Sequence, residues 1–366
     1  MTREILTVVG ARPNFMKAAP VHEALERESG VVSRLVHTGQ HYDDELSDVF
    51  FDELGLPEPH VHLGVGSGTH AGQTARIMLA FEEALAGSAP DALLVVGDVN
   101  STLACALVAA KEGVPVGHVE AGLRSFDDRM PEEINRRLTD QLSRWLFVTE
   151  PSGVDNLRRE GHPEERIHLV GNVMIDSLMR CRDRARDRGT RARLGLEETA
   201  YVLVTMHRPS NVDERPALEE TVRTIEAIAA DAAVVFPVHP RTRDRLADHG
   251  LRERLDAVEG LRVLEPLGYL DFLNLMEGAA VVVTDSGGVQ EETTFLEVPC
   301  LTVRENTERP VTVELGTNRL VPLDAGEVAA AVREAMSSGA DASGRIPPRW
   351  DGRAAERIVR VLLESL

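Results

Sequence analysis

The sequence predicts an α/β protein built from two doubly wound domains facing a cleft, and three observations carry that reading. Short apolar, β-branched runs alternate with longer amphipathic stretches along the whole chain, the pattern of parallel strands covered by helices on both faces. The length of 366 residues suits two domains better than one. The unusual polar residues fall just after the apolar runs, which is where ligands bind in such sheets.

In chain order, the runs that read as strands are 5–9, 31–36, 92–96, 116–119, 146–148, 167–170, 201–205, 233–236, 262–264, 280–284 and 300–303. Each is rich in Val, Ile and Leu and too short for a helix of ordinary length. Between them lie helical stretches such as 132–142, 217–230 and 269–276, and 352–366 forms an amphipathic helix at the end. The most charged segment, 180–198, contains Arg182-Asp183-Arg184-Ala185-Arg186-Asp187-Arg188 and stands between two sets of strands, so it marks a domain boundary.

Hydrophobic content of 43% is ordinary for a globular protein, and no apolar run is long enough to cross a bilayer. The natural expectation is a cytoplasmic enzyme. A formal net charge of −20 argues against nucleic acid or an acidic membrane surface as partner. An anionic ligand would need local cations and helix N-termini instead. Cys105, Cys181 and Cys300 lack metal or redox spacing and read as packed thiols. The histidines lie singly, so no metal is expected.

The run Val281-Val282-Val283-Thr284-Asp285-Ser286-Gly287-Gly288-Val289-Gln290-Glu291-Glu292 says most about chemistry. It reads as a buried strand, a tight turn and the start of a helix. Backbone N–H groups and the positive end of the helix dipole then converge on one point, which suits a phosphate. Carboxylates one turn into the helix suit sugar hydroxyls. The plainer reading makes Ser286 an ordinary N-cap.

Other strand ends carry comparable groups. Gly10-Ala11-Arg12-Pro13-Asn14, with Lys17 beyond, is neither a dinucleotide fingerprint nor a P-loop, so no nucleotide cofactor is expected; Arg12 and Lys17 would meet phosphate or sugar. Asp98 ends a strand and is either a helix cap or a functional acid. Glu120 follows an apolar strand, where a charge is costly unless used or paired. Glu132 and Glu133 lie in a first helical turn behind Pro131, where the dipole favours acids without any function. His207 follows the strand 201–205 and suits phosphate binding or proton transfer, and His239 is a second such histidine. Arg309, before Pro310, is placed as a phosphate clamp.

Taken together, GARPNFMKAAP (10–20), TGQHYD (38–43), GDVNSTLA (97–104), HVEAGLRS (118–125), MPEEINRRLTD (130–140), GNVMIDSL (171–178), TMHRPSN (205–211), FPVHPRT (236–242), EPLGYLDFLNLM (265–276), TDSGGVQEE (284–292) and ENTERPVTVELGTNRLV (305–321) resemble the non-hydrolysing UDP-N-acetylglucosamine 2-epimerases. The resemblance implies two Rossmann-like domains facing a cleft, a glycosyltransferase B-like fold, here 1–172 and 173–351 with the helix 352–366 packing back on the first domain. It also implies a homodimer and a UDP-sugar substrate. The reaction would invert C2 of UDP-N-acetylglucosamine by eliminating UDP to 2-acetamidoglucal and adding it back.

By carry-over, Asp98, Glu120 and Glu132 match the family's acid/base carboxylates, and His207 its catalytic histidine. Ser286, Gly287 and Gly288 would hold the diphosphate, Glu292 the ribose and Phe272 the uracil side, while Arg12, Lys17, Arg136 and Arg309 would contact phosphate or sugar. Gln40 and His239 match a second, activating substrate site, but the segment 63–70 lacks the arginine expected there, so activation is expected to be lost. The motif Thr205-Met206-His207-Arg208-Pro209-Ser210 also departs from the commoner Gly-His-Arg-Arg-Glu, which leaves the sugar's N-substituent open.

Three other readings stay in play. One is a hydrolysing epimerase that lets water reach the intermediate. Another is a glycosyltransferase of the same fold, and a third is a nucleotide-sugar sensor without catalysis. The HVEAGLRS and MPEEINR segments favour the non-hydrolysing branch over the first, the three carboxylates Asp98, Glu120 and Glu132 argue for proton chemistry over transfer, and those carboxylates together with His207 speak against the third.

Overall fold

The computed structural model describes residues 2–40, 53–338 and 345–366. Its strands are β1 (Arg3–Val9), β2 (Val31–His37), β3 (Val61–His62), β4 (Ala92–Val96), β5 (Val116–Ala121), β6 (Trp145–Val148), β7 (Ile167–Leu169), β8 (Tyr201–Thr205), β9 (Ala233–Pro237), β10 (Leu261–Leu264), β11 (Val281–Thr284), β12 (Cys300–Val303) and β13 (Asn318–Val321). Helices in the first half are α1 (Arg12–Glu26), α2 (His70–Leu85), α3 (Asn100–Lys111), α4 (Pro131–Leu142), α5 (Pro151–Arg159) and α6 (Val173–Asp187). The second half has α7 (Thr190–Arg193), α8 (Pro209–Val212), α9 (Arg215–Ala229), α10 (Pro240–Asp248), α11 (Arg252–Asp256), α12 (Tyr269–Glu277), α13 (Gly287–Leu296), α14 (Pro310–Glu314) and α15 (Ala325–Ser338), and α16 (Ala354–Ser365) closes the chain.

The chain divides into two compact units. Unit 1 is Met1–Met179 with Pro348–Leu366, and unit 2 is Arg180–Pro347. Unit 1 holds a sheet of order β3-β2-β1-β4-β5-β6-β7, unit 2 one of order β10-β9-β8-β11-β12-β13. Every strand pairing is parallel. Each order reverses direction once, between β1 and β4 in unit 1 and between β8 and β11 in unit 2. Such switch points open a crevice at the strands' carboxyl ends, because the flanking helices leave on opposite faces. Two strands were not read from the sequence. β3 has only two residues, and β13, Asn-Arg-Leu-Val, carries polar residues that break the apolar run.

The central strands are buried on both faces, which is why they read as continuous apolar runs rather than alternating ones. In unit 2, Val202, Val204, Val234, Phe236, Val281 and Val283 pack on one face with Leu218, Val222 and Ile225 of α9 and Val328 and Val332 of α15. In unit 1, Leu93 and Val95 pack with Ile77 and Phe81 of α2 and with the small residues Ala104, Cys105 and Ala109 of α3. Each buried large aliphatic side chain contributes about 1.5–3 kcal/mol.

The C-terminal segment is built into unit 1. Trp350 is buried and donates from Nε1 to Thr149 O at 3.1 Å. Asp176 on α6 accepts the Ala354 and Ala355 amides at 3.2 and 2.8 Å, supplying the N-terminus of α16 with the cap that its own Arg353 does not give. Trp145 Nε1 donates to Ser365 Oγ at 2.8 Å.

Candidate active site

In unit 1 the site is built where β1, β4 and β5 end. Val96 lies opposite Val119, so Gly97-Asp98 and Glu120 emerge side by side. Glu120 has φ +76° although it is not glycine, and the register of β5 against β6 shifts between Val119 and Ala121. A non-glycine residue in that region is strained, and strain of this kind persists where surrounding structure holds it for a purpose. Here the carboxylate is turned inward. Glu120 is 4% exposed and ion-paired with Lys17 Nζ from α1, which is also buried. The charge that looked costly in the sequence is thus paired.

Gly97 makes this packing possible. A Cβ there would stand 3.3 Å from Lys17 Nζ and 3.4 Å from both Glu120 Oε2 and Asn14 Nδ2, and its φ is +68°. Asn14 fixes the β1–α1 turn: its Oδ1 accepts the Gly10 and Ala11 amides at 3.1 and 3.0 Å, and its Nδ2 donates to Val96 O at 2.9 Å. Arg12 opens α1, but its side chain lies outside what the structure describes.

Asp98 does not cap α3, which has no side-chain cap. Its Oδ2 instead pairs with Arg136 Nη2 at 2.5 Å, and the other arm of Arg136 meets Glu133 at 3.0 Å. Glu133 is buried and also accepts the Ser125 amide and hydroxyl at 2.8 and 2.9 Å. The two adjacent glutamates therefore differ: Glu133 ties α4 to the preceding loop, whereas Glu132 is half-buried. Lys17 and Arg136, expected to contact substrate, each hold one of the candidate carboxylates.

In unit 2 the site gathers at the switch point between β8 and β11. Thr284 lies opposite Thr205, so His207 and Asp285 emerge together. Asp285 is fully buried. Its carboxylate accepts the His207 amide at 2.9 Å, the Arg208 amide at 2.8 Å and Asn211 Nδ2 at 3.0 Å, and it faces His207 Nδ1 at 3.0 Å. Burial alone would raise its pKa; the His207 ring and the amides outweigh that and hold it below the usual carboxylate range. The His207 ring stacks on His239, centroids 4.9 Å apart. Nδ1 is the ring nitrogen turned toward Asp285. Gln40, in unit 1, is buried and accepts the Ser101 amide and hydroxyl at 3.1 and 2.7 Å.

Ser286 occupies the N-cap position of α13 but makes no capping bond with its side chain. Arg309 comes to the same helix end: a Cβ on Gly287 would lie 2.7 Å from its Nη1, so glycine is what lets the guanidinium approach. Arg309 Nε lies 2.8 Å from Glu291, while Arg304 pairs with Glu308 at 2.8 Å and Arg208 stands 3.6 Å from it. Burial and the neighbouring Arg304 push the Arg208 pKa down, against the pull of Glu308 and Asp285. Arginines crowded beside a helix N-terminus form an anion site. One turn into α13, Glu292 is buried and accepts the Tyr269 hydroxyl at 2.7 Å. Phe272 lies half-buried one turn along α12 from Tyr269.

The structure thus brings Lys17, Asp98, Glu120 and Arg136 together in unit 1, while Glu132 stands half-buried in the first turn of α4. It brings His207, Ser286, Gly287, Gly288 and Arg309 together in unit 2, with Glu292 and Phe272 along the adjoining helices. Asn14, Glu133 and Asp285 were assigned no role from sequence. Asp285 had a usable signal, an acid directly behind an apolar strand.

The family model described as UDP-N-acetylglucosamine 2-epimerase matches residues 23–363. The chain is 42% identical over 360 residues to the UDP-N-acetylglucosamine 2-epimerase of Methanocaldococcus jannaschii, covering 97% of each. The chain belongs to the UDP-N-acetylglucosamine 2-epimerase family. It is also 40% identical over 363 residues to the UDP-2,3-diacetamido-2,3-dideoxy-D-glucuronate 2-epimerase of Pseudomonas aeruginosa, covering 98% of this chain and 99% of that one. The crystal structure of the M. jannaschii UDP-GlcNAc 2-epimerase, in complex with UDP-GlcNAc and UDP, matches with a TM-score of 0.92 at 41% identity, covering 99% of both chains. The expected glycosyltransferase B-like class of Rossmann-like sheets agrees with these epimerase neighbours.

One titration in this epimerase-family chain is open to direct test. Burial pushes the Glu292 carboxyl up to about 7; the Tyr269 hydrogen bond opposes this and the neighbouring Glu291 adds to it. A carboxyl with a raised folded-state pKa contributes stability below its unfolded value of 4.5, and that contribution is lost as pH rises through about 7. Without ligand, Glu292→Gln should therefore flatten the fall in Tm between about pH 5 and about pH 8, removing a dependence on the order of 3 kcal/mol. Parallel melting curves for wild type and variant would show the carboxyl to be ionised throughout.

Proposed function

We propose that the protein epimerises C2 of UDP-N-acetylglucosamine, giving UDP-N-acetylmannosamine reversibly and without hydrolysis. The observation that carries this reading is the pair of carboxylates Asp98 and Glu120, side by side at adjoining strand ends and each held by its own cation. The C2 proton is not acidic in the bound sugar, because no carbonyl adjoins C2. As the C1–O bond to UDP breaks, oxocarbenium character develops at C1 and C2–H becomes labile. A carboxylate takes that proton as the C1–C2 double bond of 2-acetamidoglucal forms. Re-addition of UDP at C1, with a proton delivered to C2 on the other face, gives the epimer. Asp98, Glu120 and Glu132 are the candidates for these transfers. Ser286, Gly287, Gly288 and Arg309 hold the diphosphate as it departs, with His207 beside it; Glu292 takes the ribose and Phe272 the uracil side. Arg12 serves as a further phosphate or sugar contact, and no cofactor or metal is required.

Incubation with UDP-N-acetylglucosamine in D₂O, followed by NMR, tests this. A second UDP-sugar, with deuterium at C2 of both epimers, is the expected result. Free UDP with N-acetylmannosamine would move the protein to hydrolytic chemistry. Inertness would turn the test to UDP-2,3-diacetamido-2,3-dideoxy-D-glucuronate, because a relative acting on that sugar is nearly as similar.

We further place the protein in the cytoplasm as a homodimer. Among the described residues, no helix is long and apolar enough to cross a membrane. Leu79 on α2 and Ile134 and Leu138 on α4 are exposed, apolar surface of the kind that a second copy covers. Light scattering should give the mass of two chains for wild type and of one chain for Ile134→Asp.

A further inference from the structure

Behind the strand ends of unit 1 lies a charged network that the proposed chemistry does not use. His118 and Asp140 are both 0% exposed. His118 Nε2 is 2.8 Å from Gly97 O, and since a carbonyl only accepts, Nε2 carries the hydrogen. The other ring nitrogen lies 2.7 Å from Asp140 Oδ1. Asp140 Oδ2 accepts the Gly122 amide at 3.2 Å and Arg124 Nη2 at 2.6 Å, and Arg124 reaches on to both oxygens of Glu160 at 2.8 and 2.7 Å. Burial pushes the Asp140 carboxyl up, but His118 and Arg124 outweigh it and hold it below the ordinary range.

These bonds converge on two peptide groups. One joins Gly97 to Asp98; the other joins Ala121 to Gly122, one residue past Glu120. The Gly97 amide is also bound, to Val119 O at 3.0 Å, so both backbone groups of Gly97 are held from β5. Glu120 sits at positive φ, a strained conformation for a residue with a side chain, and Gly97 has the backbone freedom of glycine, so the position of each depends on the bonds that hold it. We propose that His118, backed by Asp140, is a positioning residue for epimerisation: its Nε2–H fixes the Gly97 carbonyl and thereby sets where the Asp98 carboxylate stands relative to Glu120. This inference rests on the epimerase reading of the site.

Two amide variants separate this role from mere support of the fold. His118→Gln places an N–H near the Nε2 position and keeps a donor for Gly97. His118→Asn is shorter, keeps a donor toward Asp140 and leaves Gly97 O without one. Both put an amide in the same buried slot, so their stabilities serve as a matched control. The measurements are kcat and KM for C2 epimerisation, Tm, calorimetric UDP affinity, and crystal structures of both variants. The Asn variant should lose about a hundredfold in kcat, the cost of an ångström-scale misplacement of a reacting group. Its KM and UDP affinity should stay within about threefold of wild type. The Gln variant should recover at least about tenfold of that loss. The Gly97–Asp98 peptide should be displaced in the Asn structure and undisturbed in the Gln structure. Equal kcat losses that track Tm, or an unmoved Asp98 in the Asn variant, would overturn the proposal. If wild type were inert toward UDP-N-acetylglucosamine, that substrate assignment would fail separately, and the two crystal structures would still decide whether His118 positions Asp98.

Discussion

Replacing Glu120 by glutamine should lower kcat by at least about a hundredfold while UDP affinity stays near that of the wild type. The substitution keeps the side chain's shape and its acceptor oxygen toward Lys17, so the strained strand end retains a partner. What it removes is the ability to take up or return a proton at C2. Ser286, Gly287, Gly288 and Arg309, proposed to hold the diphosphate, lie in unit 2, so ground-state binding provides the internal control. Deuterium incorporation at C2 should fall in step with turnover. Near-normal turnover by purified, folded Glu120→Gln would remove Glu120 from the mechanism and leave Asp98 and Glu132 as the acid/base candidates.

A comparable loss, again about a hundredfold or more in kcat, is expected for Asp285→Asn, the effect known when an orienting aspartate behind a catalytic histidine becomes an amide. Among the described residues, the Asp285 carboxylate accepts from two backbone amides and the Asn211 side chain and faces His207 Nδ1. An asparagine brings its own N–H₂ group into that shell, so at least one contact becomes donor against donor, and the His207 ring loses its fixed orientation. A second readout follows from the carboxyl's low pKa. Burial opposes ionisation, but the bonds to His207 and Arg208 prevail. A group whose folded-state pKa is depressed contributes stability above its unfolded pKa, and that contribution is lost as pH falls through the folded value. Urea midpoints for wild type should therefore fall across the acid range, while those of Asp285→Asn, lower at neutral pH, should change less. A full kcat in the variant would show that His207 needs no orienting partner.

The central strands of both sheets were legible because burial on both faces leaves a continuous apolar run, as in Ala92–Val96 and Val281–Val283. β13 was not, because its Asn318 turns inward to bond Gln290 and Thr312 and so reads as loop. The candidates Asp98, Glu120 and His207 were picked out because each stands at or just beyond the end of an apolar strand, whereas Asp285, directly behind one, was passed over. Three features needed coordinates. Sequence gave no means of telling Glu133, which fastens the Ser125 loop, from Glu132 beside it. Nor did it show that Lys17 and Arg136 are committed to carboxylates, since their partners lie 103 and 38 positions away. The positive φ of Glu120 has no compositional signature, because the chain uses a glutamate where glycine would be the easy choice.

The seating of Trp350 and α16 in unit 1 has a consequence for biosynthesis. Unit 2 is one uninterrupted stretch, whereas unit 1 is assembled from the two ends of the polypeptide. A ribosome making this chain releases the first 179 residues long before the tryptophan that is buried against Thr149 and the helix that Asp176 caps have been synthesised. The order of completion is therefore reversed relative to the order of translation: the later-made unit has all its parts first, and the earlier-made one waits for Pro348–Leu366. A message cut short before the codon for Pro348 would yield nascent chains whose defect lies in the unit that was translated first.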